Sequence, residues 1–144
     1  MLAQATSLLS ALAWLWLLVA AHEAGHFFVA HFLDRPLASL TIGDGPVLRQ
    51  WYWRGINCQA KLLPFSGAVR LVVNSRRKWV NLSIYFAGCA VNLALAAVFG
   101  TLGLRDAANL SLLLALYNLL PYEGLDGHLI WQELRRHRPA RHVL

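Results

Sequence analysis

The chain has 144 residues, enough for one domain, and 58% of them are hydrophobic against only 14% charged, a balance that excludes a disordered tail and exceeds that of ordinary soluble proteins. Two cysteines, Cys58 and Cys89, are too few for a disulfide framework and lack the spacing of a thiolate metal site. The formal charge of +6 would suit a nucleic-acid partner only if the basic residues lined one solvated face, and their distribution along the chain points instead to a membrane.

Ser7 to Leu33 contains no Lys or Arg and Glu23 as its only acid, which predicts a first transmembrane helix over 7–33. A cleaved leader over residues 1–21, ending in Val19-Ala20-Ala21, is the competing reading; no basic residue opens the segment, and apolar residues resume after His26. Between 37 and 73 the pattern changes to short runs rich in β-branched and aromatic residues: Leu37 to Ile42, Val47 to Arg54, Cys58 to Leu63 and Ala68 to Val73. Turn signals at Gly43-Asp44-Gly45-Pro46, Gly55-Ile56-Asn57 and Pro64-Phe65-Ser66-Gly67 separate them, predicting a small antiparallel sheet. Trp51, Tyr52, Trp53 and Trp79 suit a headgroup boundary, so the sheet is expected to lie against the bilayer.

A second span is predicted over 81–102, apolar and rich in small residues such as Ala87, Gly88 and Gly100. A third, 107–133, is broken at Pro121. A basic tail follows over 134–144. Twelve of the 13 Lys and Arg flank the spans on one side, and only Arg105 lies between spans two and three. By the positive-inside rule the amino terminus is extracytoplasmic and the carboxyl terminus cytoplasmic. The expected fold class is an α-helical polytopic membrane protein with three transmembrane helices and a small membrane-associated β-sheet between helices one and two.

His22-Glu23-Ala24-Gly25-His26 stands inside the first span. Spacing of i, i+4 puts two imidazoles one turn apart on one helix face, within reach of a single ion, with an adjacent carboxyl placed to handle a proton on water. An acid in hydrocarbon costs about 2.5–3.5 kcal/mol on insertion scales, so Glu23 needs more reason than packing or hydrogen bonding between the two histidines and itself. Hydrolytic zinc keeps three protein ligands, and the third has to come from another span. The stretch Asn118 to Gly127 at the break in span three is the candidate source, with Asp126 and Glu123 as its acids. His26 and His22 lie roughly 10 and 17 Å below the cytoplasmic end of span one, and Leu120 about 21 Å from the outer end of span three, so both elements reach the cytoplasmic third of the bilayer.

HEAGH in a first span, Thr41-Ile42-Gly43-Asp44-Gly45-Pro46, Leu63-Pro64-Phe65-Ser66-Gly67, Ala87-Gly88-Cys89-Ala90-Val91-Asn92 and the N-x-x-P-x-x-x-x-D-G of Asn118 to Gly127 together resemble the site-2 protease family of intramembrane zinc metalloproteases. The resemblance runs from span one to about Trp131. It implies that His22, His26 and Asp126 bind zinc, that Glu23 is the catalytic acid/base, and that Asn118 contacts substrate backbone. It implies an endopeptidase cutting a transmembrane segment of a single-span membrane-protein substrate near the cytoplasmic side, with the sheet handling an unwound substrate. Two departures stand out: Cys89 where the family usually has Pro, and His128 where a second Gly often follows Asp-Gly. The PDZ or CBS domains of many relatives are not expected, since only Gly103 to Asp106 separates spans two and three.

Other polar residues are assigned lesser roles. Glu123 is a solvated turn carboxylate or a rival ligand, His128 an interfacial residue, and His31 lies off the ligand face because it is five residues past His26. Asn92 either orients a ligand or makes an interhelical hydrogen bond, and Asn81 and Ser83 are expected at the interface. The alternatives to the protease are a catalytically inactive membrane adaptor of the same fold and a small metal carrier; a carrier would spread ligating groups along a path, whereas these converge at one depth.

Overall fold

The structure, a computed structural model, describes residues 2–136, with side chains from residue 9 onward. Most of the predicted tail, from residue 137, lies outside the described residues. The elements run α1 (Leu2–Phe32), β1 (Leu37–Trp53), β2 (Ile56–Leu71), α2 (Lys78–Thr101), α3 (Arg105–Asn118) and α4 (Asp126–Arg135).

α1 ends where the predicted first span ends, and its stop is encoded locally. Asp34 takes a left-handed φ of 50°, its N–H donates to His31 and that of Arg35 to Ala30, and Pro36 follows. This is a Schellman closure with Asp in the place usually held by Gly. α2 closes in the same way: Gly103, at φ 76°, and Leu104 donate to Gly100 and Phe99, and the chain turns directly into α3. Small residues set the α1–α2 crossing. A Cβ on Gly25 would stand 2.9 Å from the Ala87 carbonyl oxygen and from Val91 Cγ2, so the two backbones touch there.

Two helices, over Leu9–Phe32 and Lys78–Thr101, are long and apolar enough to cross a membrane, and only 39% and 28% of their most apolar windows are buried against the rest of the chain. The third predicted span is resolved as two pieces, α3 and α4, separated by residues 119–125 around Pro121; neither reaches spanning length by itself.

The sheet differs from expectation. Four short strands were expected, and two long antiparallel ones form, joined by a two-residue turn in which Arg54 and Gly55 have φ of 48° and 82°, the left-handed pair that hairpin twist favours. Gly43-Asp44-Gly45-Pro46 and Pro64-Phe65-Ser66-Gly67 are corners inside the strands rather than breaks between them. Gly43 and Gly45 at φ 84° and 78° bulge the chain without reversing it. Across these corners the hairpin folds over on itself. Leu40 is paired with both Val69 and Cys58, and Ile42 with both Gly67 and Ala60, so the start of β1 lies between the two ends of β2. The segment Gly67–Leu71 is therefore an edge, bonded to β1 on one side only.

Phe27, Leu40, Ile56 and Cys58 bury the sheet against α1, and Ala30, Val80 and Ile84 join α1 to α2. Trp16 Nε1 donates to the Lys61 carbonyl at 3.0 Å, a tie between sheet and helix nearly two turns of α1 before His22. α4 is held at both ends. Gly127 is pressed on the Leu119 and Leu120 carbonyls with no room for a Cβ. Arg136, paired with Glu133 at 2.7 Å, donates to the Ser75 and Arg76 carbonyls, and Lys78 to that of Leu134.

Candidate metal centre

α1 places His22 and His26 one turn apart, both nearly fully buried, on the face turned to α2. The first residue of α4 is Asp126. Its Oδ2 lies 2.9 Å from His22 Nε2 and 3.1 Å from His26 Nε2, and the two Nε2 atoms are 3.2 Å apart. Among the described residues this is the group of His, Cys, Asp and Glu able to hold an ion. Tetrahedral coordination with bonds of ~2.0–2.2 Å puts ligand atoms about 3.3 Å from each other, so the observed triangle is slightly tighter than a loaded zinc site and of the right shape.

The donor chemistry fits a cation. His26 Nδ1 lies 2.7 Å from the Ile84 carbonyl, which can only accept, so Nδ1 carries the proton and Nε2 of the neutral ring offers a lone pair to the centre. His22 Nδ1 is 3.1 Å from the Asn92 amide nitrogen, while Asn92 Oδ1 is buried without a partner. Exchanging the two ends of that amide lets Oδ1 accept from Nδ1–H and frees the second Nε2. With both rings neutral, two lone pairs and a carboxylate oxygen face each other at about 3 Å, an arrangement that needs positive charge between them. Ser111 Oγ donates to the Asn92 carbonyl at 2.8 Å and fixes that turn of α2.

Space for an ion is kept by a glycine. A Cβ on Gly88 would stand 2.6 Å from His22 Nε2 and overlap His26 Nε2. Cys89, next in α2 and fully buried, donates its thiol to Asp126 Oδ2 at 3.7 Å. Beside the triad, Glu23 is buried with its carboxyl against Gly67 of β2, so close that no Cβ fits between them.

Of the sequence-predicted residues, His22, Glu23, His26 and Asp126 come together, and Asn118 lines the cavity that contains His22, Glu23 and Asp126. The Asn118 amide donates to the Leu114 carbonyl of its own helix. Glu123 is exposed and outside the group, His31 packs on Trp53, and His128 pairs with Gln132 at 2.7 Å, away from the triad. Ser83 is exposed, and Asn81 is fully buried within the chain, its amide bonding both the N–H and the carbonyl of Ser75 to close the loop before α2. Sequence reasoning left Asn92 between two roles and missed Gly67, Gly88 and the Ile84 carbonyl. Gly67 was marked only as a turn residue and Gly88 only as a small residue of a packed helix, apart from their place in the stretches that carry the family resemblance.

The model of peptidase family M50 matches residues 10–106, a span that includes the HEAGH helix, the sheet and all of α2. The chain belongs to peptidase family M50. It is thus a member of the site-2 protease family, a membrane-associated metalloprotease family, as the resemblance implied. A comparison with curated proteins returns no match. Asp126 and Asn118 lie beyond the matched residues, so Asp126 enters the site on geometry.

Proposed function

We propose that this M50 member is a zinc-dependent intramembrane endopeptidase that cuts a transmembrane segment of a single-span membrane-protein substrate near the cytoplasmic side. The observation that carries the reading is the meeting of His22 Nε2, His26 Nε2 and Asp126 Oδ2, from helices 100 residues apart, beside the buried carboxyl of Glu23. The family and the two apolar helices support a multi-pass protein in which α3, residues 119–125 and α4 make a broken third span, and the distribution of Lys and Arg supports an amino terminus outside and a cytoplasmic carboxyl terminus. Irregular backbone at residues 119–125 is tolerable at membrane depth because it borders a polar cavity.

His22, His26 and Asp126 would hold the ion, which when bound supplies Lewis acidity to the scissile carbonyl and acidifies water. Glu23 takes the water's proton and returns it to the leaving amine. A peptide bond in a helix is shielded by its own hydrogen bonds, so the substrate has to unwind. The free edge at Gly67–Leu71 runs past Glu23 and can replace those bonds by strand addition. Asn118 anchors the opened segment across the cavity from that edge. The test is cleavage of a co-reconstituted single-span substrate by parent, Glu23→Gln and His22→Ala. Glu23→Gln keeps zinc and loses cleavage, and His22→Ala loses both. Equal cleavage by Glu23→Gln and parent would defeat the assignment.

A further inference from the structure

Two cavities of about 170 and 160 Å³ flank the triad, and both are bounded by Glu23, Gly67 and Asp126. Each is well below the roughly 300 Å³ at which sites for whole small molecules begin, so each has the scale of a side chain. They differ in level and in chemistry. One includes His22 and sets the polar groups of Ser66, Tyr117 and Asn118 among the apolar Val19, Phe65 and Leu114. The other includes His26 and is walled by Val69, Leu71, Ile84 and Leu129, with Tyr85 as its one hydroxyl beyond the shared centre. His22 and His26 are one turn, about 6 Å, apart along α1. Alternate residues on one face of an extended chain are about 6.6 Å apart. An extended segment paired with the Gly67–Leu71 edge therefore presents side chains two positions apart to the two cavities, one on either side of the bond beside Glu23.

We infer that these cavities are paired subsites which read residue order: an apolar side chain on the His26 flank and a small or polar one on the His22 flank, two positions away across the scissile bond. This selects substrates whose spanning helix changes from apolar to small or polar within three residues. It also gives the site a direction, since the reversed order puts a polar group against Ile84 and Leu129, where Tyr85 is the one hydroxyl, and faces Ser66, Tyr117 and Asn118 with an aliphatic one. The inference rests on the peptidase reading above and adds what that site accepts.

The test uses single-span peptides reconstituted with the zinc-loaded protein in liposomes, identical except that Leu and Ser occupy the two positions in one order or the other. One order is cut at least tenfold faster in kcat/KM, the discrimination an apolar pocket gives for a few methylene groups. Leu129→Phe, which fills the apolar cavity from an exposed position, slows the favoured Leu peptide at least tenfold more than it slows a peptide with Ala at that position. Ser66→Leu, at the other cavity, leaves the Leu requirement in place and relaxes the requirement for Ser. Equal cleavage of both orders, or a preference unmoved by Leu129→Phe in a variant that retains its zinc, overturns the subsite assignment and leaves the peptidase standing. Cleavage that survives Glu23→Gln overturns the peptidase reading itself, so the two failures are distinguishable.

Discussion

Gly88→Ala isolates the space at the centre from everything else that holds the site. The added methyl would sit 2.6 Å from His22 Nε2 and overlap His26 Nε2, where about 3.5 Å is comfortable. Both rings then have to retreat by close to an ångström. Zinc sites tolerate about 0.2 Å in their bond lengths, and loss of a mere supporting hydrogen bond weakens a metal by 10–100-fold, so the loss here is at least 100-fold, or about 2.7 kcal/mol. Ala is a better helix former than Gly by about 1 kcal/mol, so α2 itself is not weakened, and overpacking costs about 1–3 kcal/mol against that gain. The expected outcome is a folded, helical protein in detergent that has lost zinc and cleavage together. Zinc content by elemental analysis, affinity by competition with a chromogenic chelator, and the thermal midpoint of the metal-free form separate the effects. A Gly88→Ala protein that binds zinc with parental affinity would refute the claim that the ion sits in the triangle Gly88 faces.

Gly67→Ala crowds the Glu23 carboxyl rather than the histidines, so zinc stays bound and cleavage falls by about 100-fold, the general-base share of the rate, in a turnover assay run beside metal analysis. Asn92→Leu removes the partner of His22 Nδ1 and weakens zinc by about 10–100-fold, while Asn92→Asp, which can still accept from Nδ1–H, holds it near parental affinity by chelator competition. Gly127→Ala has only backbone to push against, at Leu119 and Leu120. It displaces Asp126 and costs zinc affinity and thermal stability together, unlike Gly67→Ala. Dialysis against a strong chelator abolishes cleavage and stoichiometric zinc restores it; persistence of full activity in a metal-free sample would contradict the assigned role of the triad.

The features most legible in the sequence are those in which one local signal decides. The i, i+4 histidines, the absence of Lys and Arg through α1 and the break at Pro121 are all signals of neighbouring residues, and each has its counterpart in the structure. Turn residues misled in the sheet because Gly and Pro mark both reversals and bulges. Arg54-Gly55 reverses the chain, whereas Gly43 and Gly45 bend it, and only the pairing partners of Leu40 and Ile42 tell the two apart. The burial of Asn81 is hidden for a related reason: an amide at a helix start suits an interface, and its enclosure within the chain is set by the Ser75 loop it bonds.

The glycines are the deeper case, because their role depends on what is absent. In one dimension Gly88 looks like a packing residue, Gly67 like a turn residue and Gly127 like the end of a motif, yet each leaves the room of one methyl at a different part of the site: the ion's position, the Glu23 carboxyl and the end of the helix that begins with Asp126. The matched family region ends at residue 106 and carries two of these glycines, while the third travels with Asp126. A chain that kept HEAGH and Gly88 but filled position 127 would retain the family pattern over residues 10–106 and still present only two of three ligands. Completeness of the centre is therefore decided in the last described helix, by Gly127 under the Leu119 carbonyl and by Arg136 at the other end of α4 holding the Ser75 loop.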